Sequence, residues 1–237
     1  MTARPLEGRV ALVTGASRGI GAAIAESLAA RGAHVVLIGR TTGGLEEVED
    51  RIHAAGGSAT IAPLDLVDGD SIGRLASAMA GRWKALDILV LNAATLGTLT
   101  PVGMIEAKDY AQVLTLNVGA QAALIGAFDA LLRASDRARV IGITSSIGHT
   151  ARPFWGAYDS SKAAFDRLVE SYGLENAAIS AIRTALVDPG ATATKMREKA
   201  FPGEDPATLK QPAVVGEAIA DLLVSDFETG TRIRLET

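Results

Sequence analysis

A tyrosine and a lysine with the spacing of a proton-transfer pair lie four residues apart, at Tyr158 and Lys162. The apolar spacing around them predicts a helix over Ala157–Leu174, and residues four apart on a helix share a face. A free phenol titrates near pH ~10, and bringing its pKa to roughly 7 takes about 4 kcal/mol, to which a neighbouring ammonium contributes. Such a phenol donates a proton to a carbonyl oxygen or takes one from an alcohol. On its own, however, this pair is also common among surface and packing residues.

Two further polar residues could complete this site. Ser145 ends the fifth predicted strand, where its hydroxyl can bond a substrate oxygen and steady developing charge. The sequence alone does not decide between Ser145 and Ser146. Asn117 is an amide in an otherwise apolar helix, and a buried amide needs partners. It either holds a water that links Lys162 to solvent or satisfies a backbone carbonyl at a helix kink.

A glycine-rich turn follows the first predicted strand. Gly15, Gly19 and Gly21 have the spacing G-x-x-x-G-x-G, and a predicted helix comes next. Glycine permits a tight turn and a close approach of the backbone to a pyrophosphate, and the helix offers free N–H groups. The alternative is a helix start that merely needs glycine. The residues of this turn predicted to contact a cofactor are Gly15, Ser17, Arg18, Gly19, Ile20 and Gly21.

The end of the second predicted strand indicates which dinucleotide is bound. NAD-binding folds place an acid there for the ribose 2′-hydroxyl, but this chain has Gly39 and then Arg40, and the next acid is Glu46. Arg18 and Arg40 together suit a phosphate dianion, which predicts NADP(H). The alternative is two solvated surface arginines. Asp65 ends the third strand, where it binds adenine or makes a turn or helix cap, and Asn92 ends the fourth, where it pins the backbone beside the ribose or makes a turn.

Short apolar runs alternate with helical stretches along the chain, as βαβ units do. This order predicts an α/β fold: a doubly wound, Rossmann-type parallel sheet of about seven strands with helices on both faces. In such sheets, ligands bind at the carboxyl ends of the strands. The predicted strands are Arg9–Thr14, His34–Gly39, Ala59–Leu64, Asp87–Leu91, Arg139–Thr144, Ala181–Val187 and Arg232–Leu235. The predicted helices are Ile20–Arg31, Leu45–Ala55, Ser71–Arg82, Ala111–Arg133, Ala157–Leu174 and Val214–Leu223.

Composition excludes several classes of protein. The chain has 237 residues, which one α/β domain can fill, and no linker or repeat. It has no cysteine, which removes disulfides and thiolate chemistry, and its histidines and acids lack metal-ligand spacing. A net charge of −4 does not favour nucleic acid. Neither a secretory signal nor a membrane span is expected, so the predicted location is the cytoplasm.

Taken together, these motifs resemble the short-chain dehydrogenase/reductase family in its single-domain, 3-oxoacyl-reductase-like form, from about Gly8 to about Val224. The resemblance implies that Tyr158 is the acid/base, that Lys162 lowers its pKa and holds the nicotinamide ribose, that Ser145 orients the substrate, and that Asn117 supports a proton-relay water. It also implies cofactor contacts from Asp65, Leu66, Asn92, Ala93, Pro189, Gly190, Thr192 and Thr194. The departures are Ala94 in place of the usual glycine, Asp188 in place of the usual asparagine, and a C-terminus that stops early, which leaves a homodimer or a homotetramer.

The sequence therefore predicts an NADP(H)-dependent oxidoreductase that interconverts a carbonyl and a secondary alcohol by hydride transfer. A segment around residues 193–212, with apolar and basic side chains, is expected to cover an apolar small-molecule substrate, although a mobile loop has the same composition. The alternative function is a non-catalytic NADP(H)-binding sensor or scaffold of the same fold. A dehydratase or epimerase is a more distant third.

Overall fold

Seven parallel strands form one sheet in this computed structural model, which describes residues 4–236. The strand order is β3-β2-β1-β4-β5-β6-β7, and every neighbouring pair is parallel. The doubly wound fold predicted from the sequence is therefore confirmed. The strands are β1 (Val10–Thr14), β2 (His34–Gly39), β3 (Ser58–Pro63), β4 (Ile88–Leu91), β5 (Arg139–Ile143), β6 (Arg183–Asp188) and β7 (Thr231–Arg234).

The central strands are continuously apolar because helices cover both faces of the sheet. All residues of β1, β4 and β5 are buried. One core cluster packs Leu28, Leu45 and Ile219 against one face, and a second packs Phe128 and Phe165 against the other. The helices are α1 (Gly19–Ala30), α2 (Thr42–Ala54), α3 (Gly69–Arg82), α4 (Ala107–Leu114), α5 (Ala120–Arg133), α6 (Gly156–Asn176), α7 (Lys195–Ala200) and α8 (Pro212–Val224).

The long helix predicted over Ala111–Arg133 differs from the structure in its start and its continuity. Helix α4 begins at Ala107, and a π-helical segment, Thr115–Gly119, separates it from α5. Thr115 Oγ1 donates to the carbonyl of Ala111 at 2.8 Å, a back-bond that bends helices. The whole stretch Ala107–Arg133 is long and apolar enough to cross a membrane. In this fold, however, residues of α5 pack into the core, so its apolar character follows from packing against the sheet.

Helix α7 is an addition to the predicted elements. It lies in the segment expected to cover the substrate, and it begins where Thr194 Oγ1 accepts a hydrogen bond from Arg197 N at 3.1 Å. Short 3₁₀ turns, too brief to be read from apolar spacing, occur at Val102–Met104, Ser146–Gly148 and Pro206–Thr208.

The strand order reverses between β1 and β4, because β2 and β3 lie on one side of this pair and β5 to β7 on the other. Such a switch point opens a crevice at the carboxyl ends of the strands. The segments that leave β1, β2, β4, β5 and β6 at this edge contain most of the predicted site residues.

Candidate active site

The turn between β1 and α1 has the backbone of an anion cradle. Gly15 and Gly19 have φ angles of 65° and 58°, a region that side-chain-bearing residues rarely adopt. A Cβ built on Gly21 would lie 2.3 Å from the carbonyl oxygen of Gly15, so the turn closes only with glycine there. Arg18, the N-cap residue of α1, makes no capping hydrogen bond with its side chain, and the first turn of α1 contains no acidic residue. Its first N–H groups are therefore suited to a diphosphate.

Asn92 fastens this turn to the end of β4. Its Nδ2 donates to the carbonyl of Thr14 at 2.8 Å. Thr14 Oγ1 in turn accepts from the backbone N–H groups of Asn92 and Ala93, at 2.9 and 3.0 Å. Of the two roles left open for Asn92, the structure supports pinning of the backbone. These bonds hold the β1 and β4 ends together at the switch point.

The two arginines predicted to hold a phosphate are both exposed, and within residues 4–236 neither side chain has a protein partner. Packing brings their segments together. A Cβ on Gly39 would contact Ser17 Cβ at 3.5 Å, and Ala16 N donates to the carbonyl of Ile38 at 2.9 Å. The turn that carries Arg18 thus lies directly beside the strand end that carries Arg40.

The two residues predicted at the end of β3 make ordinary structural contacts. Asp65 Oδ1 accepts from Val67 N at 3.2 Å, which is the turn-forming alternative for one of its oxygens. Leu66 is 6% exposed and packs in the core cluster of Phe128 and Phe165. Their contacts with a cofactor remain predictions.

Tyr158 and Lys162 both lie buried on α6, with exposed fractions of 8% and 4%. Lys162 Nζ donates to the carbonyl of Ile143, the last residue of β5, at 2.7 Å and stands 5.8 Å from the centre of the Tyr158 ring. Tyr158 packs with Leu96 and Ile147. Ile147 belongs to the turn that Ser145 begins, so this turn lies against the phenol.

Burial sets the ionisation of this pair. It raises the pKa of the Tyr158 phenol well above its usual value, and Asp188, Asp159 and Asp166 raise it further. It lowers the pKa of Lys162 to about 8, although Asp166 and Asp188 act in the opposite direction. The protein's own surroundings thus oppose the lowered phenol pKa expected from the sequence. The reason is that loss of solvation and three carboxylates outweigh one ammonium bonded to a carbonyl.

The hydroxyl of Ser145 begins the 3₁₀ turn Ser146–Gly148 and accepts from Ile147 N at 3.5 Å, a weak bond that leaves it able to donate. Asn117 lies in the π-helical segment and is 1% exposed. Its side chain bonds both backbone groups of Thr95, at 2.8 and 2.9 Å, and donates to Ser161 Oγ at 3.0 Å. The backbone groups that the Asn117 side chain satisfies therefore belong to the segment after β4 and not to the helix kink.

The segment after β6 joins the site to the glycine turn. Gly190 has a φ of 68°, and its N–H donates to Asp188 Oδ1 at 3.0 Å. Asp188, the unexpected residue, also lies 3.8 Å from Arg234 on β7, so it shapes the Pro189–Gly190 turn. Thr192 is buried and bridges to Lys210. Thr194, which caps α7, would lie 3.6 Å from a Cβ on Gly19.

Helix α7 covers Tyr158 with apolar side chains, because Met196 and Ala200 pack against the cluster of Tyr158, Leu96 and Ile147. The Trp155 ring lies 6.1 Å from that of Tyr158 and 5.6 Å from that of Phe201, between centroids.

Three of the basic side chains in the segment 193–212 are bonded within the protein. Arg197 binds Glu204 through two bonds of 2.6 Å, and Lys210 donates to the carbonyls of Pro189 and Leu235. Lys199 Nζ reaches the carbonyl of Gly97 across the cleft at 3.4 Å.

Comparison with known proteins identifies the family. A protein-family model described as short chain dehydrogenase matches residues 9–205. The chain belongs to the short-chain dehydrogenase family. YciK, an uncharacterized oxidoreductase of Escherichia coli K12, is 35% identical over 211 residues, which cover 88% of this chain and 83% of YciK. The resemblance stated from the sequence is thus confirmed at the level of the family, and family members of this kind are oxidoreductases.

Solved structures of the family have the same fold. A protein from Shigella flexneri 2a, described as a short chain dehydrogenase and complexed with NADP, superposes with a TM-score of 0.92 at 33% identity, covering 98% of this chain and 99% of its own. A second, from Escherichia coli CFT073 and complexed with NADPH, superposes with a TM-score of 0.91 at 33% identity, covering 98% of both chains. The cofactor predicted for this chain is the one these two proteins contain.

The sequence reasoning missed one buried group of the site. Asp166 is 1% exposed and lies one helical turn beyond Lys162, where it bonds Thr144 and Arg232. The spacing of four from Lys162 was a usable signal. The pairing of Asp166 with Arg232 on β7 gave no such signal, because 66 residues separate the two in sequence.

Proposed function

We propose that this protein is an NADP(H)-dependent oxidoreductase that interconverts a carbonyl and a secondary alcohol by hydride transfer, with Tyr158 as the acid/base. One observation carries the proposal. A single helix, α6, holds Tyr158 and Lys162 against the end of β5 and the turn of Ser145. This group lies at the same edge of the sheet as the glycine turn of β1.

The residues present fit NADP(H). The start of α1, which Arg18 does not cap, suits the diphosphate. Arg18 and Arg40, whose side chains have no partner among residues 4–236, suit the 2′-phosphate. Lys162 would hold the nicotinamide ribose, and the turn from Pro189 to Thr194 would hold the carboxamide and approach the diphosphate. When bound, this cofactor supplies or accepts the hydride. The NADP and NADPH complexes of the two structural relatives support the assignment.

In reduction, the Tyr158 hydroxyl would give its proton to the carbonyl oxygen while the carbonyl carbon gains the hydride, leaving an alcohol and a phenolate. In oxidation, the phenolate takes the alcohol proton. Ser145 would donate a hydrogen bond to the same oxygen. Because burial and three carboxylates raise the phenol pKa, the protein alone favours the protonated form, which is the form that acts as an acid. Asn117 would support a proton-relay water that links Lys162 to solvent.

The substrate proposed is an apolar ketone or the corresponding alcohol. The walls of the cleft support this class, because Leu96, Ile147, Trp155 and Met196 surround the phenol. Residues 193–212 would form the cover. The bonds between Arg197 and Glu204 and between Lys199 and Gly97 favour an ordered cover over a mobile loop.

The test is Tyr158→Phe, with Tyr172→Phe on the same helix as the matched control, since the Tyr172 hydroxyl bonds Asp129 away from the site. Ketones, 3-oxoacyl esters, quinones and sugars are screened by loss of NADPH absorbance. Tyr158→Phe should bind NADPH, measured by its fluorescence, and lose turnover, while Tyr172→Phe keeps both. Turnover at the wild-type rate in Tyr158→Phe would refute the acid/base role. NADPH binding without oxidation of any substrate by the wild type would favour the sensor.

Two further calls remain proposals: assembly as a homodimer or homotetramer, which rests on the family resemblance, and the cytoplasmic location predicted from the sequence. Light scattering coupled to size-exclusion chromatography measures the first, because each assembly state gives a distinct mass. Fractionation of the source cells measures the second.

A further inference from the structure

A buried carboxylate lies behind the proposed active site. Asp166 on α6 accepts from Thr144 Oγ1 through Oδ1, and its Oδ2 accepts from Arg232 Nη1 at 3.0 Å. His149 Nε2 lies 3.3 Å from the same Oδ2. We call Thr144, His149, Asp166 and Arg232 the Asp166 cluster. Its carboxylate side chain is 2% exposed, so solvent cannot replace these partners.

The contacts of Asp166 fall at both ends of one turn. Thr144 directly precedes Ser145, and His149 directly follows the 3₁₀ turn Ser146–Gly148. Between them, a Cβ on Gly148 would lie 3.1 Å from Asp166 Oδ2, so the turn rests on the carboxylate. Among residues 4–236, the hydroxyl of Ser145 has only the bond of 3.5 Å with Ile147 N. The position of Ser145 therefore depends on what anchors the ends of its turn.

The cation of the cluster comes from the edge of the sheet. Arg232 lies on β7 and binds two acids of α6, Asp166 at 3.0 Å and Glu170 at 2.7 Å. A buried carboxylate without a cation is strongly disfavoured, and Arg232 is the cation that pairs with Asp166 in this place. Glu170 is the more exposed of the two acids and does not contact the Ser145 turn.

The same helix carries Tyr158, Lys162 and Asp166, so the anchor and the proton-transfer pair move as one rigid element. We propose that Asp166, neutralised by Arg232, is a positioning residue that fixes the turn of Ser145 relative to Tyr158 and Lys162. This proposal rests on the function proposed above.

The charge of Asp166 gives this role a specific readout, the pH profile of alcohol oxidation, which simple loss of folding would not shift. The charged groups that face Tyr158 are Lys162 and Asp159 on its own helix and Asp188 at the end of β6, besides Asp166 itself. Asp166 raises the pKa of the phenol. Neutralising it removes an anion, so the rise of alcohol oxidation with pH should move to lower pH, because a phenolate forms more readily without that anion.

The experiment compares Asp166→Asn, Thr144→Val and the control Glu170→Gln as full-length proteins. Hydrogen exchange at residues 145–150 and kcat with NADPH are measured for each, together with the pH profile of alcohol oxidation. Asp166→Asn should exchange faster at that turn, lose kcat by about 10- to 100-fold, and shift its pH midpoint downwards. Glu170→Gln should match the wild type in all three measurements.

Thr144→Val removes one anchor and leaves the charge in place. Its hydrogen exchange at residues 145–150 should be faster and its kcat lower, with an unshifted pH midpoint. If Asp166→Asn does not fold, this variant tests the positioning role. Wild-type exchange and kcat in either folded variant, or equal losses in Glu170→Gln, would overturn the proposal. If the wild type turns over no substrate, the proposed function fails, whereas exchange still tests the anchor by itself.

Discussion

Removal of Arg18 in the glycine turn and of Arg40 at the end of β2, both exposed, is the sharpest test of the cofactor prediction. Arg18→Ala and Arg40→Ala, singly and together, delete the only cations argued to bind the 2′-phosphate of NADP(H). Because neither side chain has a partner within residues 4–236, the substitutions break no contact within that part of the protein. The change in binding should therefore report on the phosphate alone.

The magnitude follows from exposure. A hydrogen bond to a charged group contributes ~1.5–3 kcal/mol, and screening at an exposed site reduces this to about 1 kcal/mol. Each single substitution should weaken NADPH binding by about five- to tenfold. The double variant should lose less affinity than the product of the two single losses, about 25- to 100-fold, since the two arginines share one phosphate. NADH has no 2′-phosphate, so its affinity should stay the same.

The assay is titration of NADPH and NADH fluorescence at two salt concentrations. Added salt should weaken NADPH binding in the wild type more than in the double variant, because fewer ion pairs remain to be screened. Arg51→Ala is the matched control, since Arg51 lies on nearby α2 and is paired with Glu26 at 2.8 Å. An unchanged ratio of NADPH to NADH affinity in the double variant would refute the phosphate assignment.

Three other substitutions test the site. Gly21→Ala should abolish dinucleotide binding in a titration, because its Cβ would lie 2.3 Å from the carbonyl of Gly15; wild-type affinity would contradict the cradle. The buried Lys162 has a pKa lowered to about 8, so the unfolded chain binds more protons above that pH. In urea denaturation, the free energy of unfolding of the wild type should therefore rise by about 2 kcal/mol relative to that of Lys162→Met between about pH 8 and 10. The same pH dependence in both proteins would contradict the lowered pKa. Trp155→Ala removes the ring between Tyr158 and Phe201 and should raise KM for bulky apolar ketones about tenfold without changing NADPH binding; an equal change for small ketones would argue against a wall.

The fold was predictable because its signals are local. Continuously apolar runs such as Val10–Thr14 are buried on both faces, and glycines fall where positive φ angles are needed. The π-helical segment Thr115–Gly119 was missed because the stretch Ala107–Arg133 is apolar at most positions, which hides the change of phase that one extra residue introduces. Helix α7 was missed because it is short and its six residues, none of them fully buried, give no clear apolar period.

The site was predictable in its residue types but less so in their surroundings. Tyr158 and Lys162 share a helix face, and a spacing of four reveals this directly. The ionisation of the phenol depends on burial and on Asp188 and Asp166, which reach it from a strand and from a later helical turn. The partner of Asp166 on β7 depends on strand order. Neither the pKa of the Tyr158 phenol nor the pairing of Asp166 with β7 can be predicted from residues adjacent in sequence.

Thr194 takes part in two structures at once. It starts α7 through its hydroxyl and would touch a Cβ on Gly19 through its methyl group. The start of the covering segment 193–212 therefore lies against the same turn that would receive the dinucleotide. A dinucleotide bound in that turn would lie against the start of the cover, so we expect the coenzyme to bind before the substrate and to leave after the product.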